Sequence, residues 1–185
     1  MGAVVANSAY SVKMTAIRAN RAPDYLFLSY GPARVESAFV VPGHFMVESV
    51  ITKRPPLAPS ARRAGWVGSN IHLSRIPDVA KVGIVQDASP ISPAIARRQF
   101  ASVAFVREFG AQKRGWLSDV MDCLETLELS AGDEFDLEQA YGFEATLKRR
   151  HPANRNVRPK IRQQFQVLVA NGYLRRTRPG VYAKV

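Results

Sequence analysis

The sequence is 185 residues long, carries 26 Lys and Arg against 15 Asp and Glu for a formal charge of +11, and holds a single cysteine, Cys123. That length admits one ordinary domain or two small ones, and two modest domains are expected; the lone cysteine excludes an intramolecular disulfide and any multi-cysteine zinc site within this chain. The opening MGAVVANSAYSVK has neither a basic start ahead of a long apolar core nor a run of about 18 apolar residues, so no signal peptide, no membrane partner and a soluble, reducing, cytoplasmic setting are expected.

In chain order, residues 8–20 place Tyr10, Met14 and Ile17 at helical spacing, with Ala22-Pro23 as the expected stop. YLFLSY (25–30) and VESAFVVP (35–42), joined through Gly31-Pro32, read as two strands of a hairpin and begin a sheet. TKRPPLAPSARRAGWVGS is punctuated by Pro55, Pro56, Pro59 and Gly65 ahead of Trp66, which predicts a long ordered loop. NIHLS (70–74) and KVGIVQ (81–86) add two short strands. From Ser92 the run PAIARRQFASVAFVREF predicts a helix with Ile95, Phe100, Val103, Val106 and Phe109 apolar, and Gly110 and Gly115 flank Lys113-Arg114 as a linker.

The remainder is more regular. Residues 116–127 set Leu117, Val120, Met121, Leu124 and Leu127 on one stripe, the width a surface helix buries. Asp136 and Gln139 have the spacing of a reciprocal capping box and open a second helix reaching Arg150, with Leu137, Tyr141 and Leu147 inward, until His151-Pro152 breaks it. A third helix follows Asn156 as a candidate N-cap, carries Pro159 in its first turn and stops at Gly172. Strands at 173–176 and 181–184 around Thr177-Arg178-Pro179-Gly180 complete three helices plus a terminal hairpin, the winged-helix arrangement, within an α+β chain.

Charge sharpens this. Residues 145–185 hold 11 Lys and Arg and no Asp or Glu, so the first 144 residues hold 15 of each sign and the last 41 carry the whole excess. Such asymmetry is expected of a nucleic-acid or anionic-surface binder. Winding the third helix puts Ile161, Phe165 and Leu168 on one side and Gln163 opposite, flanked by Lys160, Arg162 and Gln166. Arg155, Asn156 and Arg158 stand at its amino end, which usually meets base edges, and the wing adds Arg175, Arg176 and Arg178. Lys and Arg neutralise phosphates, Arg reads guanine, and Gln or Asn reads adenine. Double-stranded DNA is favoured over RNA because the basic face lacks interleaved aromatics; Tyr182 is left to stack or to pack. The alternatives are a non-enzymatic DNA-binding regulator and a winged-helix interaction module with solvated charges. Arg62, Arg63 and Trp66, with Lys53 and Arg54 nearby, form a second candidate contact, the alternative being a structural loop with Trp66 in the core.

For chemistry, a metal-dependent nuclease of the restriction type needs two carboxylates and a Lys, commonly P-D…(D/E)-x-K. Pro23-Asp24 and Glu36 fit the first part, but Ala38 stands where Lys is needed, and no Glu-x-Lys or Asp-x-Lys occurs anywhere. His44, His72 and His151 share no ligand spacing, and Cys123 on the buried edge of its helix reads as a core residue. No catalytic residue and no metal ligand is assigned.

Two long stretches carry a resemblance. LFLSYG…FVVPGHFMVESVITKRPPLAPSARRAGWVGSNIHLSRIP and FDLEQAYGFEATLKRRHPANRNVRPKIRQQFQVLVANGYLRRTRPGVYAKV resemble the DpnI-type restriction endonucleases and Dam-replacing proteins across nearly the whole chain. The resemblance implies the carboxyl-terminal part of a restriction-endonuclease-like α/β nuclease domain over residues 1–112, followed by a winged-helix DNA-binding domain over 115–185. It implies recognition of GATC methylated on adenine, as part of a methyl-directed type II restriction endonuclease. In that family the metal-binding Asp and Glu-x-Lys, and a cysteine-bound zinc, lie upstream of the region resembled. The expectation is therefore DNA binding with no cofactor in this chain, Mg2+ belonging to the complete family enzyme.

Overall fold

The computed structural model describes residues 3–185 and divides into two compact units, Met1–Gly115 and Trp116–Val185. In the first, β1 (Val4–Ala9) runs straight into α1 (Tyr10–Arg18), whose buried face is Lys13, Met14 and Ile17. The helix ends before the expected Ala22-Pro23. Asn20 takes a left-handed φ of 56°, its N–H bonds Ile17 O at 3.1 Å, and Arg21 N–H bonds Ala16 O at 2.8 Å. That is the paired closure of a Schellman motif, with Asn supplying the conformation usually left to Gly.

The expected hairpin is present as β2 (Tyr25–Tyr30) and β3 (Val35–Val41), paired antiparallel with Leu26 opposite Val40. Beyond it, one continuing sheet gives way to two. β4 (Ile51–Lys53) and β1 flank β5 (Gly68–His72), with Val5 and Ile51 both opposite Ile71. β6 (Val82–Gln86) instead joins β3, and β7 (Ser89–Pro90) completes the order β2-β3-β6-β7. β1, β4 and β7 carry too few apolar residues, or are too short, to display a period of two; pairing makes them strands. Much of the core comes from short 3-10 turns: Gly43–Phe45 and Glu48–Val50 bury Phe45 and Val50, and Leu73–Arg75 buries Leu73.

The long helix expected from Ser92 to Phe109 is two pieces. α2 (Pro93–Ser102) buries no residue fully, whereas Val103 and Val106, at the start of and within the 3-10 segment Ala104–Glu108, are wholly buried. A spacing of three aligns side chains in a 3-10 turn, which is why the apolar pattern continued where the α-helix did not. Nor is Lys113-Arg114 a linker. α3 (Ala111–Glu125) includes both, and buried Arg114 donates to Ile17 O at 3.3 Å and Asn20 Oδ1 at 2.7 Å.

In the second unit α3 buries Trp116, Leu117, Val120, Met121 and Leu124. β8 (Glu134–Asp136) leads into α4 (Leu137–Tyr141) through the expected capping box: Gln139 N–H bonds Asp136 Oδ1, and Asp136 N–H bonds Gln139 Oε1, each at 2.9 Å. The expected second helix is interrupted at Gly142-Phe143, and α5 (Glu144–Arg150) resumes it; Ala140, Phe143 and Leu147 share the buried side. α6 (Val157–Ala170) has Asn171 as its C-cap, followed by Gly172, whose φ of 71° is open to glycine without a Cβ penalty. Asn156 is its N-cap residue without a side-chain cap bond; Asn154 Oδ1 accepts the Asn156 N–H at 2.8 Å instead. β9 (Leu174–Arg178) and β10 (Val181–Lys184) form the wing, and β8 extends it to a three-stranded sheet ordered β8-β10-β9. Phe165 packs edge-on against Phe135 at 5.6 Å and Tyr182 at 4.9 Å between centroids, which settles Tyr182 as a packing residue. Among the described residues no helix is long and apolar enough to cross a membrane.

Candidate nucleic-acid interface

The polarity of α6 follows the winding of its sequence. Ile161, Phe165 and Leu168 are fully buried, and Arg162, Gln163 and Gln166 are exposed. Gln164, between them, was not anticipated inside; it is fully buried, and its amide donates to Lys160 O at 3.4 Å. Arg155, Asn156 and Arg158 are exposed around the amino end, and Arg175, Arg176 and Arg178 are exposed on β9.

These side chains divide by what they already hold. Arg158 Nε lies 2.7 Å from Glu144 Oε2 with its guanidinium 4.8 Å above Tyr141, and Arg178 Nη2 lies 2.9 Å from Glu134 Oε2. Lys160 Nζ donates to Gln163 Oε1 at 2.8 Å. Exposed ion pairs of this kind are screened by solvent and contribute little to stability, so a phosphate can replace the carboxylate at small cost. Arg155, Arg162, Arg175 and Arg176 form no ion pair with a described carboxylate and present the least encumbered positive charge.

Behind α6 sits a cluster that sequence reasoning passed over. Asp119 on α3, fully buried, accepts Arg150 Nη1 at 2.9 Å on one oxygen and lies 2.8 Å from His151 Nε2 on the other; Arg150 Nη2 reaches Asp122 Oδ2 at 2.7 Å. His151 stacks on Trp116 with centroids 3.9 Å apart, and Lys160 Nζ is 6.0 Å from the same indole. Burial opposes the charge on Arg150, but the two aspartates outweigh it and hold the guanidinium above its ordinary range. The i, i+3 pair Asp119 and Asp122 beside a Trp on one helix face was the available signal.

In the first unit the loop 54–67 is ordered by its own backbone: Leu57 N–H bonds Trp66 O at 2.9 Å and Gly65 N–H bonds Leu57 O at 3.0 Å. Trp66 is half-buried, with the Arg63 guanidinium 5.1 Å over its ring, and Lys53 Nζ lies 5.2 Å over Tyr10. Tyr10, Arg18, Lys53, Gly65 and Trp66 line an open cleft of about 520 Å³. The structure thus gathers Arg63, Trp66 and Lys53, and leaves Arg62 exposed at the loop surface.

The fold also redistributes the charge. Cut at the unit boundary, residues 1–115 hold 15 Lys and Arg against 6 Asp and Glu, a net +9, and residues 116–185 hold 11 against 9, a net +2. The one-signed tail folds together with acidic residues 119–144, so the second unit is basic on a face rather than as a whole.

Asp24, of the Pro23-Asp24 pair, accepts the Gly43 N–H at 2.7 Å, where Gly43 lies so close to the Ala22 and Pro23 backbone that a Cβ would collide. Glu36 is exposed on β3. His44 is buried with Nε2 3.1 Å from Val103 O, and His72 Nε2 is 2.8 Å from Thr52 Oγ1. Burial pushes the Cys123 thiol up to about 12, as for a core residue. Among the described residues, no three His, Cys, Asp or Glu side chains are grouped to hold a metal ion. Residues 1–109 match the Dam-replacing family, and residues 112–184 match the Dam-replacing HTH domain, a helix-turn-helix DNA-binding unit.

Proposed function

The chain belongs to the Dam-replacing family, and from that premise we propose that it binds double-stranded DNA at GATC methylated on adenine, as part of a methyl-directed restriction system in the cytoplasm. Residues 1–112 are read as the carboxyl-terminal part of a DpnI-like nuclease domain and residues 115–185 as its winged-helix DNA-binding domain. The observation that carries the reading is the exposed face of α6, where Arg162, Gln163 and Gln166 project opposite the buried Ile161, Phe165 and Leu168 within the helix-turn-helix match. Set into the major groove, that face offers amides for adenine and guanidinium for guanine or phosphate. Arg155, Asn156, Arg158 and Lys160 fix the helix end, and Arg175, Arg176 and Arg178 hold the backbone beside the wing. Arg62, Arg63 and Trp66 give the first unit a DNA contact of its own, cation and ring side by side.

The family's cutting chemistry uses Mg2+, which needs clustered carboxylates. The donor set here does not fit that ion: Asp24 is committed to a backbone amide, Glu36 is exposed, and Ala38 replaces the Lys. No step of cleavage is derived from these residues, and specific cutting by the pure chain with magnesium would overturn that assignment. The central test is affinity for methylated against unmethylated GATC duplexes across a salt series. Preference for the methylated duplex, with log affinity falling by about 0.9 per phosphate neutralised, is expected. Equal binding of both sinks methyl reading, and a flat salt response sinks DNA binding altogether.

A further inference from the structure

The cluster behind α6 joins three helices at one place. Trp116 and Asp119 lie on α3, Arg150 closes α5, His151 begins the turn, and Lys160 stands in the first turn of α6. Both oxygens of buried Asp119 are used, Oδ1 by Arg150 and Oδ2 by His151, at 2.9 and 2.8 Å. A carboxylate has no hydrogen to give, so the His151 ring nitrogen is the donor. The same ring is held flat against Trp116, at 13° between planes.

An ionic cluster in the interior is a poor device for stability, because apolar packing of the same volume does as well without desolvating charge. Its distinguishing property is direction. Two acceptor oxygens and a stacked ring fix the angle of the turn in a way that apolar contacts, which tolerate sliding, do not. The turn from His151 to Asn156 sets where α6 begins and which way its outward face points.

We propose that Asp119 and His151 are positioning residues for sequence reading: they orient α6 through the turn, while the cations of α6 and the wing supply affinity. The proposal rests on the DNA-binding function given above. Phosphate contacts are Coulombic and survive a small tilt of the helix, whereas bidentate contacts to base edges do not. Damage to the cluster therefore costs discrimination before it costs attachment.

Asp119→Ala strips a buried acceptor and threatens folding, so His151 carries the test. His151→Phe keeps a ring on Trp116 and loses the bond to Asp119; His151→Gln keeps a donor and loses the ring. Affinity of the full chain is measured for a methylated GATC duplex and for a GATC-free duplex of equal length, with thermal stability measured in parallel. His151→Phe is expected to weaken the methylated GATC complex about tenfold and the other complex less than twofold, and His151→Gln to recover most of the loss. Parallel loss on both duplexes, in step with stability, makes the cluster merely structural and overturns the proposal. So does a His151→Phe chain that discriminates as well as wild type. A wild-type chain that binds the two duplexes equally defeats the functional reading first, and this proposal with it.

Discussion

The two units handle positive charge in opposite ways. The first carries net +9, yet its cations are dispersed or already occupied: Arg18 on Glu48, Lys81 on Asp78, Arg63 over Trp66, and Lys13 and Arg114 buried. The second carries only +2, but its acids are placed out of the way. Asp119 is interior, Asp136 caps α4, and Glu134 and Glu144 each hold one Arg. What remains outward on α6 and β9 is basic. Net charge therefore does not identify a binding surface; the location of the counter-charges does.

That contrast can be broken from either side. The largest effect is expected from Phe165→Ala, which empties the meeting point of Phe135 and Tyr182 beneath the basic face. It should cost about 3–5 kcal/mol in denaturant unfolding and remove DNA binding with the fold. Next, Arg175→Ala with Arg176→Ala should leave stability nearly unchanged and weaken DNA binding about 10–100-fold, with the salt dependence shallower by about two phosphates. A smaller loss, about tenfold, is expected for Arg62→Ala with Arg63→Ala. No change there would assign DNA binding to the second unit alone and make the +9 of the first irrelevant to it.

The smallest effect concerns Lys13, whose ammonium donates to Asn7 Oδ1 and Tyr25 Oη, both at 2.9 Å, with no carboxylate partner. Burial lowers its pKa to about 8 from 10.5. Below 8 both folded and unfolded chains hold the proton, and the fold carries the full cost of a desolvated charge. Between about 8 and 10 the unfolded chain binds more protons, so stability rises with pH across that window. Against a Lys13→Met control, wild type should gain about 4 °C in melting temperature from pH 8 to 10. A constant difference would show that Lys13 is solvated.

Legibility differed between the units for a physical reason. The second unit is built of helices whose burial repeats along the chain, so Ile161, Phe165 and Leu168 inward and Gln163 outward were readable from covalent order, as was the Asp136–Gln139 capping box. The interruption at Gly142-Phe143 was not, because the apolar spacing of Ala140, Phe143 and Leu147 runs through it unchanged. In the first unit, three-residue β4 and the 3-10 turns are too short to establish any period, and NIHLS and KVGIVQ look alike although they join different sheets.

By itself the sequence determined a helical second unit closed by a hairpin, the inner and outer faces of α6, the one-signed stretch after Glu144 and the missing Glu-x-Lys, since each is a local pattern or a composition. Only the tertiary structure decided which acids accompany that stretch, that Asp24 serves Gly43, and that Asp119, Arg150 and His151 meet. Those contacts join residues 19 to 32 positions apart. No period in the chain encodes such a meeting; the packing of one element on another does.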